Sequence, residues 1–194
     1  MSTTIFKEYI QEIKQILIKH GIREIAEKAD TIRIEREKII GKIWDNALLE
    51  RDFEVKNVVR QIDFDIIITL LLKHTKPPKI IDILEEIAIL SLRFSEYEKA
   101  VLILKKLITE FRTDIKEERL PDHYYRYAQA LSHTEALSLS RKALFKCLTL
   151  YAKFNNPVGI ARAKNGLAIV SVEEGKLKEG ENLILEAMEI LKNL

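Results

Sequence analysis

A single cysteine, Cys147, leaves no partner for an intrachain disulfide, so a disulfide-stapled scaffold is excluded and the chain fits a reducing compartment. Six glycines and four prolines among 194 residues supply little material for tight corners, which argues against an all-β architecture. Neither sign of charge prevails. The 32 basic and 30 acidic residues are interspersed and leave a net charge of +2, so no large single-sign field draws nucleic acid or anionic lipid. Long hydrophobic runs are also missing: the stretch Ile66 to Leu72 contains Thr69 and is far too short to span a bilayer. The N-terminal Met1-Ser2-Thr3-Thr4 runs into charged helical sequence without the apolar centre of a signal peptide. A soluble, cytoplasmic protein is expected. Abundant Ile, Lys and Glu with two methionines resemble a heat-adapted, thermophilic composition.

What is present is an internal period. Ala88, Ala128 and Ala168 stand forty residues apart, preceded by Ile87, Tyr127 and Leu167. Tyr97, Leu137 and Leu177 keep the same step, as do Leu104, Leu144 and Ile184, and the small residues Ala100, Ser140 and Gly180. A fixed period in this range is the mark of stacked supersecondary units. With 47% hydrophobic residues the chain can bury a sizeable core, and a solenoid grows without dividing into separate ones.

Apolar spacing places the elements. Phe6, Tyr9, Ile10, Ile13, Ile16 and Leu17 fall at three- and four-residue intervals, predicting a helix over 5–20 that Gly21 stops or kinks. Further helices are expected over 22–29, 31–51 and 53–72. Lys73 to Lys79 contains Pro77-Pro78, which cannot sit inside a helix, and separates N-terminal helices (1–76) from the regular repeats (77–194). The repeats read as three helix pairs, 79–93 with 96–112, 121–135 with 137–154, and 157–173 with 177–193. Pro157 is well placed in a first helical turn. Alanine at one site of each first helix lets the second helix approach closely, and flanking large residues fill the space between pairs.

These repeats resemble the tetratricopeptide repeat, in the long variety of about forty residues found in kinesin light chains and bacterial regulatory proteins. The residues that carry the resemblance are Asn156-Pro157 through Leu167-Ala168, then Glu174-Gly175-Lys176-Leu177 and Gly180, with Ser95 to Ala100 as a partial match. The likeness covers about 79–194. Gly180 replaces the usual alanine, and the middle repeat lacks a glycine in its turn. A fourth, degenerate repeat over 41–76 would place Trp44 opposite Leu84 and Tyr124.

The resemblance implies an all-α, right-handed superhelix of stacked helical hairpins whose first helices line a concave, peptide-binding groove. Carried over by position, the groove set is Asp82, Glu85, Ile89 and Leu92, then Asp122, Tyr125, Gln129 and His133, then Arg162, Asn165, Ile169 and Val172. Asn165 matches an asparagine that in this family often bonds a ligand's backbone. Arg162 would take a carboxylate or phosphate in bidentate fashion. The two share a helix face by spacing alone, which suits a solvated surface equally.

Other chemistry finds little footing. His20, His74, His123 and His133 form no i, i+4 pair, and no cysteine stands at a zinc-ligand spacing, so neither a metal nor a cofactor is expected. Cys147 aligns with Leu107 and Ala187 in a helix seam, where a small buried thiol is the default. Tyr124, Tyr127 and Tyr151 read as core rather than as stacking platforms for single-stranded nucleic acid. If the N-terminal helices leave Ile66 to Leu72 uncovered, that run becomes a homodimer contact. The function expected is a non-catalytic protein-interaction module or adaptor that captures a peptide or protein segment. The alternatives are a nucleic-acid-associated helical-repeat protein, which would need a basic stripe, and a regulatory peptide or small-ligand sensor that changes its self-association.

Overall fold

A computed structural model describes residues 3–32 and 64–194, and no strand occurs among them. The described residues form two compact units, Met1–Ile83 and Leu84–Leu194.

In the first unit α1 (Thr3–Lys19) buries Tyr9, Ile10, Ile13 and Leu17 along the stripe that their spacing predicts. Gly21, at φ 68°, closes it as Ile22 N–H reaches back to the Leu17 carbonyl at 2.9 Å. Helix α2 is continuous over 23–32. The break expected near Asp30 is absent because nothing there breaks a helix. The Thr31 hydroxyl donates to the Glu27 carbonyl one turn back instead, at 3.1 Å. Helix α3 spans 64–74 and buries Phe64, Ile66, Ile67, Ile68, Leu70 and Leu71, so this run is core rather than an exposed dimer stripe. Most of the expected helices over 31–51 and 53–72, and of the degenerate repeat over 41–76, lies outside the described residues.

The chain leaves the helical path at 75–78, at the two prolines, and re-enters it as α4 (Lys79–Arg93), whose first turn belongs to the N-terminal unit. The following helices are α5 (Tyr97–Thr109), α6 (Leu120–His133), α7 (Leu137–Lys153), α8 (Pro157–Glu173) and α9 (Leu177–Lys192). Consecutive helices from α5 to α9 pack against one another. Helix α5 ends earlier than the expected 112. Glu110 and Phe111 both donate to the Lys106 carbonyl, and a single 3-10 turn, Glu117–Arg119, then leads into α6.

The forty-residue period is written most clearly in the turns. Ser95, Glu135 and Gly175 all have positive φ, at 57°, 60° and 78°. The residue after each donates five residues back, Glu96 to Ser91, Ala136 to Leu131 and Lys176 to Ser171, in the doubly bonded cap that ends helices at a left-handed residue. Only the last copy uses glycine. The middle turn therefore forms without the glycine that its sequence lacks, held by two backbone hydrogen bonds.

Small residues set the helix separations. Ala88, Ala128 and Ala168 are fully buried, and Ser140 Oγ reaches the Ala128 carbonyl at 2.8 Å. At Gly180 a Cβ would sit 2.9 Å from Val172 Cγ2 and 3.1 Å from the Ala168 carbonyl oxygen, which accounts for glycine where the repeat usually has alanine. Helix α8 starts cleanly because Asn156 caps it, its side-chain oxygen accepting from Gly159 N–H at 2.8 Å, with Pro157 in the first turn.

Candidate functional site

The first helices of the last two hairpins, α6 and α8, flank a cleft floored by α7. Ser140 and Leu144 form the floor, and Tyr125, Gln129 and His133 rise from α6. Gly166 and Ile169 face them from α8, with Glu173 at the C-terminal edge, around a cavity of about 180 Å3. Depth comes from Gly166, where a Cβ would lie 2.7 Å from Leu144 Cδ2 and 3.5 Å from the Tyr125 ring. The floor is polar but satisfied: Ser132 and Ser140 share a hydrogen bond of 3.1 Å, and Ser140 also binds the Ala128 carbonyl. The Tyr97 ring of α5 stacks on His133 with centroids 4.1 Å apart and 15° between planes, extending an aromatic wall along the cleft. Ile169 is half exposed and Gln129 is exposed, so an apolar contact and an amide hydrogen-bonding group stand open together.

Of the groove positions expected from the repeat, the structure brings four together in this cavity: Tyr125, Gln129, His133 and Ile169. Arg162 and Asn165 lie one turn and more toward the start of α8, where they line a separate hollow between α8 and α9. Arg162 is already engaged. Its guanidinium sits over the Tyr125 ring, 3.9 Å from the centroid, and donates to Asp122 at 3.0 Å. Tyr151 donates to the same Asp122 oxygen at 2.7 Å, and burial followed by this bond raises the phenol above its ordinary range. A ligand carboxylate at Arg162 would share the guanidinium with Asp122, which already takes one of its nitrogens. Val172 is half exposed and lines neither cavity.

In the first repeat Glu85 forms ion pairs with Arg119 and with Arg126, the latter at 3.2 Å. Ile89 is exposed, Leu92 and Asp82 are half-buried, and none of the three lines the cleft between α6 and α8. Lining residues outside the expected groove set are Ala128, Ser132, Ser140, Leu144, Gly166 and Glu173. The signal was available for one of them: a glycine inside a helix marks a close approach.

Cys147 is fully buried, and burial pushes its thiol up to about 12, so the thiolate a nucleophile requires is not formed near neutral pH. His123 is fully buried in α6, and among the described residues neither ring nitrogen has a hydrogen-bond partner. Among the described residues no three His, Cys, Asp or Glu side chains gather as metal ligands, and no helix is long and apolar enough to cross a membrane.

No protein-family profile and no curated protein sequence matches the chain. Its fold does match solved structures. One is BtubC (BKLC) from P. vanneervenii, a kinesin light chain-like protein. It is similar over 97% of this chain and 72% of its own, with a TM-score of 0.57 and 15% sequence identity. At that identity the likeness shows the fold alone. The architecture is thus an all-α solenoid of tetratricopeptide-like helical hairpins, as the repeat pattern predicts.

Proposed function

We propose that this chain is a non-catalytic protein-interaction module that captures a peptide or protein segment in the cleft between α6 and α8. The observation that carries the reading is the joint exposure of Ile169 and Gln129 above a cavity walled by Tyr125 and His133. An apolar hollow with a few convergent polar groups is what a side chain and its backbone amide need. Aromatic rings contribute contact area at low entropic cost, because they have few rotatable bonds to fix. The lining includes Glu173 and no Lys or Arg, which disfavours a nucleic-acid backbone as the ligand. The likeness to a kinesin light chain-like protein supports an interaction role at the level of the fold. The forty-residue recurrence of the left-handed turn residues Ser95, Glu135 and Gly175 supports the long variety of the repeat. The reading also takes the protein to be cytoplasmic and free of cofactors.

The test is selection of binding peptides from a displayed library against the full chain, followed by affinity measurement on three proteins. Ile169→Asp with Gln129→Ala, both at exposed positions, should weaken the selected peptides at least tenfold while helicity is retained. Met188→Glu, on α9 and away from the cleft, should leave them unchanged. Peptides that bind the cleft variant as well as wild type would remove the cleft from the mechanism.

A further inference from the structure

The cleft between α6 and α8 has a counterpart one repeat earlier, between α4 and α6, where the chain places an arginine of its own. Arg126 of α6 is half-buried there and pairs with Glu85 of α4 at 3.2 Å. Forty residues on, Gly166 stands at the position of Arg126, and Tyr125 at that of Glu85. The glycine leaves the arginine's place vacant, and an aromatic ring replaces the acid beside it. Both residues line the cavity of about 180 Å3 that remains.

Negative charge enters this cavity at its other end. Glu173, the last residue of α8, is exposed and has no ion pair among the described residues. No Lys or Arg lines the cavity, and the cations that border it are matched by other acids. Arg162, over the Tyr125 ring, pairs with Asp122. Arg141, next in sequence to Ser140 of the floor, is held by Glu174 and Glu179, and Lys176 also reaches Glu174. Those charges cancel and leave Glu173 unbalanced. The imidazole in the lining, His133, stacks on Tyr97. It is the last residue of α6, so the C-terminal ends of α6 and α8 lie together here, and the carbonyl ends of both dipoles add to the negative potential.

An arginine side chain suits both parts of this surface. Its methylene stem is apolar and matches Leu144, Gly166 and Ile169, while its guanidinium is a planar fork that gives a carboxylate two N–H donors. Along α8 the rise from Gly166 to Glu173 is about 10 Å. A ligand side chain lying along the cleft and the glutamate reaching back toward it span that distance together. Lysine brings the same charge without the fork.

We infer that the segment captured in this cleft carries an arginine, whose stem lies over Gly166 and Leu144 and whose guanidinium binds the Glu173 carboxylate. This ligand class rests on the reading of the cleft as a peptide site.

The probes are peptides selected from a random displayed library against the full chain, with affinities then measured by fluorescence anisotropy. Selection should enrich arginine at one aligned position. Replacing that arginine by glutamine should weaken the peptide about fivefold, the upper range for a solvent-accessible ion pair. Glu173→Gln should weaken the parent peptide by the same factor, and the peptide replacement should then cost nothing further, because both changes remove one contact. Glu173→Lys should weaken the parent at least tenfold and should bind a glutamate-substituted peptide more tightly than wild type does. Glu181→Gln, at an exposed acid of α9, should leave every affinity unchanged, and circular dichroism should show each variant folded. The inference is overturned if the selected peptides share no arginine, or if the losses from the two glutamine replacements add independently. Where such peptides still lose affinity for the Ile169→Asp, Gln129→Ala protein, the cleft stands as a peptide site and the arginine alone is refuted. Peptides that bind that double variant as well as wild type, or a library that yields no binder, overturn both.

Discussion

His123 is a titratable side chain set in an environment that opposes its charged form. It occupies the repeat position of Ile83 and Ala163, and it is fully buried without a partner for either nitrogen among the described residues. Burial, helped by Arg126 and Arg119, lowers its pKa below the ordinary 6.5, against the opposite pull of Glu85 and Asp122. The neutral ring is the folded form. As the pH falls below 6.5 the unfolded chain takes up a proton that the folded chain refuses until its own lower pKa is reached. Stability is therefore full above 6.5 and declines through that window. His123→Leu should flatten this acid limb in urea titrations from pH 7.5 down to 5. At pH 7.5 the substitution should be neutral or stabilising by about 1 kcal/mol, because an apolar group of similar size leaves no unsatisfied nitrogen. An unchanged slope would show that another group carries the acid sensitivity.

Helix α8 shows what can be read from sequence at the scale of an element and what cannot. Its start was legible in Asn156-Pro157, and its packing partner in the alanines at forty-residue spacing. The purpose of Gly159 was not, since glycine in a first helical turn looks like a weak spot rather than a contact. A Cβ there would fall 2.3 to 2.6 Å from atoms of the Tyr151 ring, which the hydrogen bond to Asp122 holds in place. Gly159→Ala should thus cost stability despite the gain of about 1 kcal/mol that alanine brings to a helix. Overpacking against a rigid ring outweighs it, and a net loss of about 1–2 kcal/mol in urea unfolding is expected. A net gain would mean that the ring yields freely. The cleft was legible in the same partial way. The resemblance to the repeat put Arg162, Asn165, Ile169 and Val172 on one groove face, but a position within a repeat does not tell which neighbour stands over which turn. Ile169 meets α6 across the cleft, whereas Arg162 is held by Asp122 and Tyr125 beside the hollow between α8 and α9. The pair boundaries located the turns at Ser95 and Glu135, but their left-handed backbone was not legible, because hydrogen bonds rather than residue type hold it.

Across the repeat unit as a whole, stability is nearly a sum over hairpins and the interfaces between neighbours, so one repeat position should have a different energetic weight at each step along the array. Leu144 and Ile184 test this directly. They hold the same register, are both large and apolar, and differ in that α8 covers the first while the second stands 41% exposed. Leu144→Ala opens a cavity in the cluster with Leu167 and Val170 and should cost about 2–4 kcal/mol. Ile184→Ala removes a side chain that already meets solvent and should cost about 1 kcal/mol. Urea unfolding with an unchanged m-value in both variants is the measurement. Equal losses would mean that Ile184 is covered in solution. The comparison would then be repeated across protein concentration, since a cover contributed by a second molecule makes the Ile184→Ala loss concentration-dependent while a cover within the chain does not.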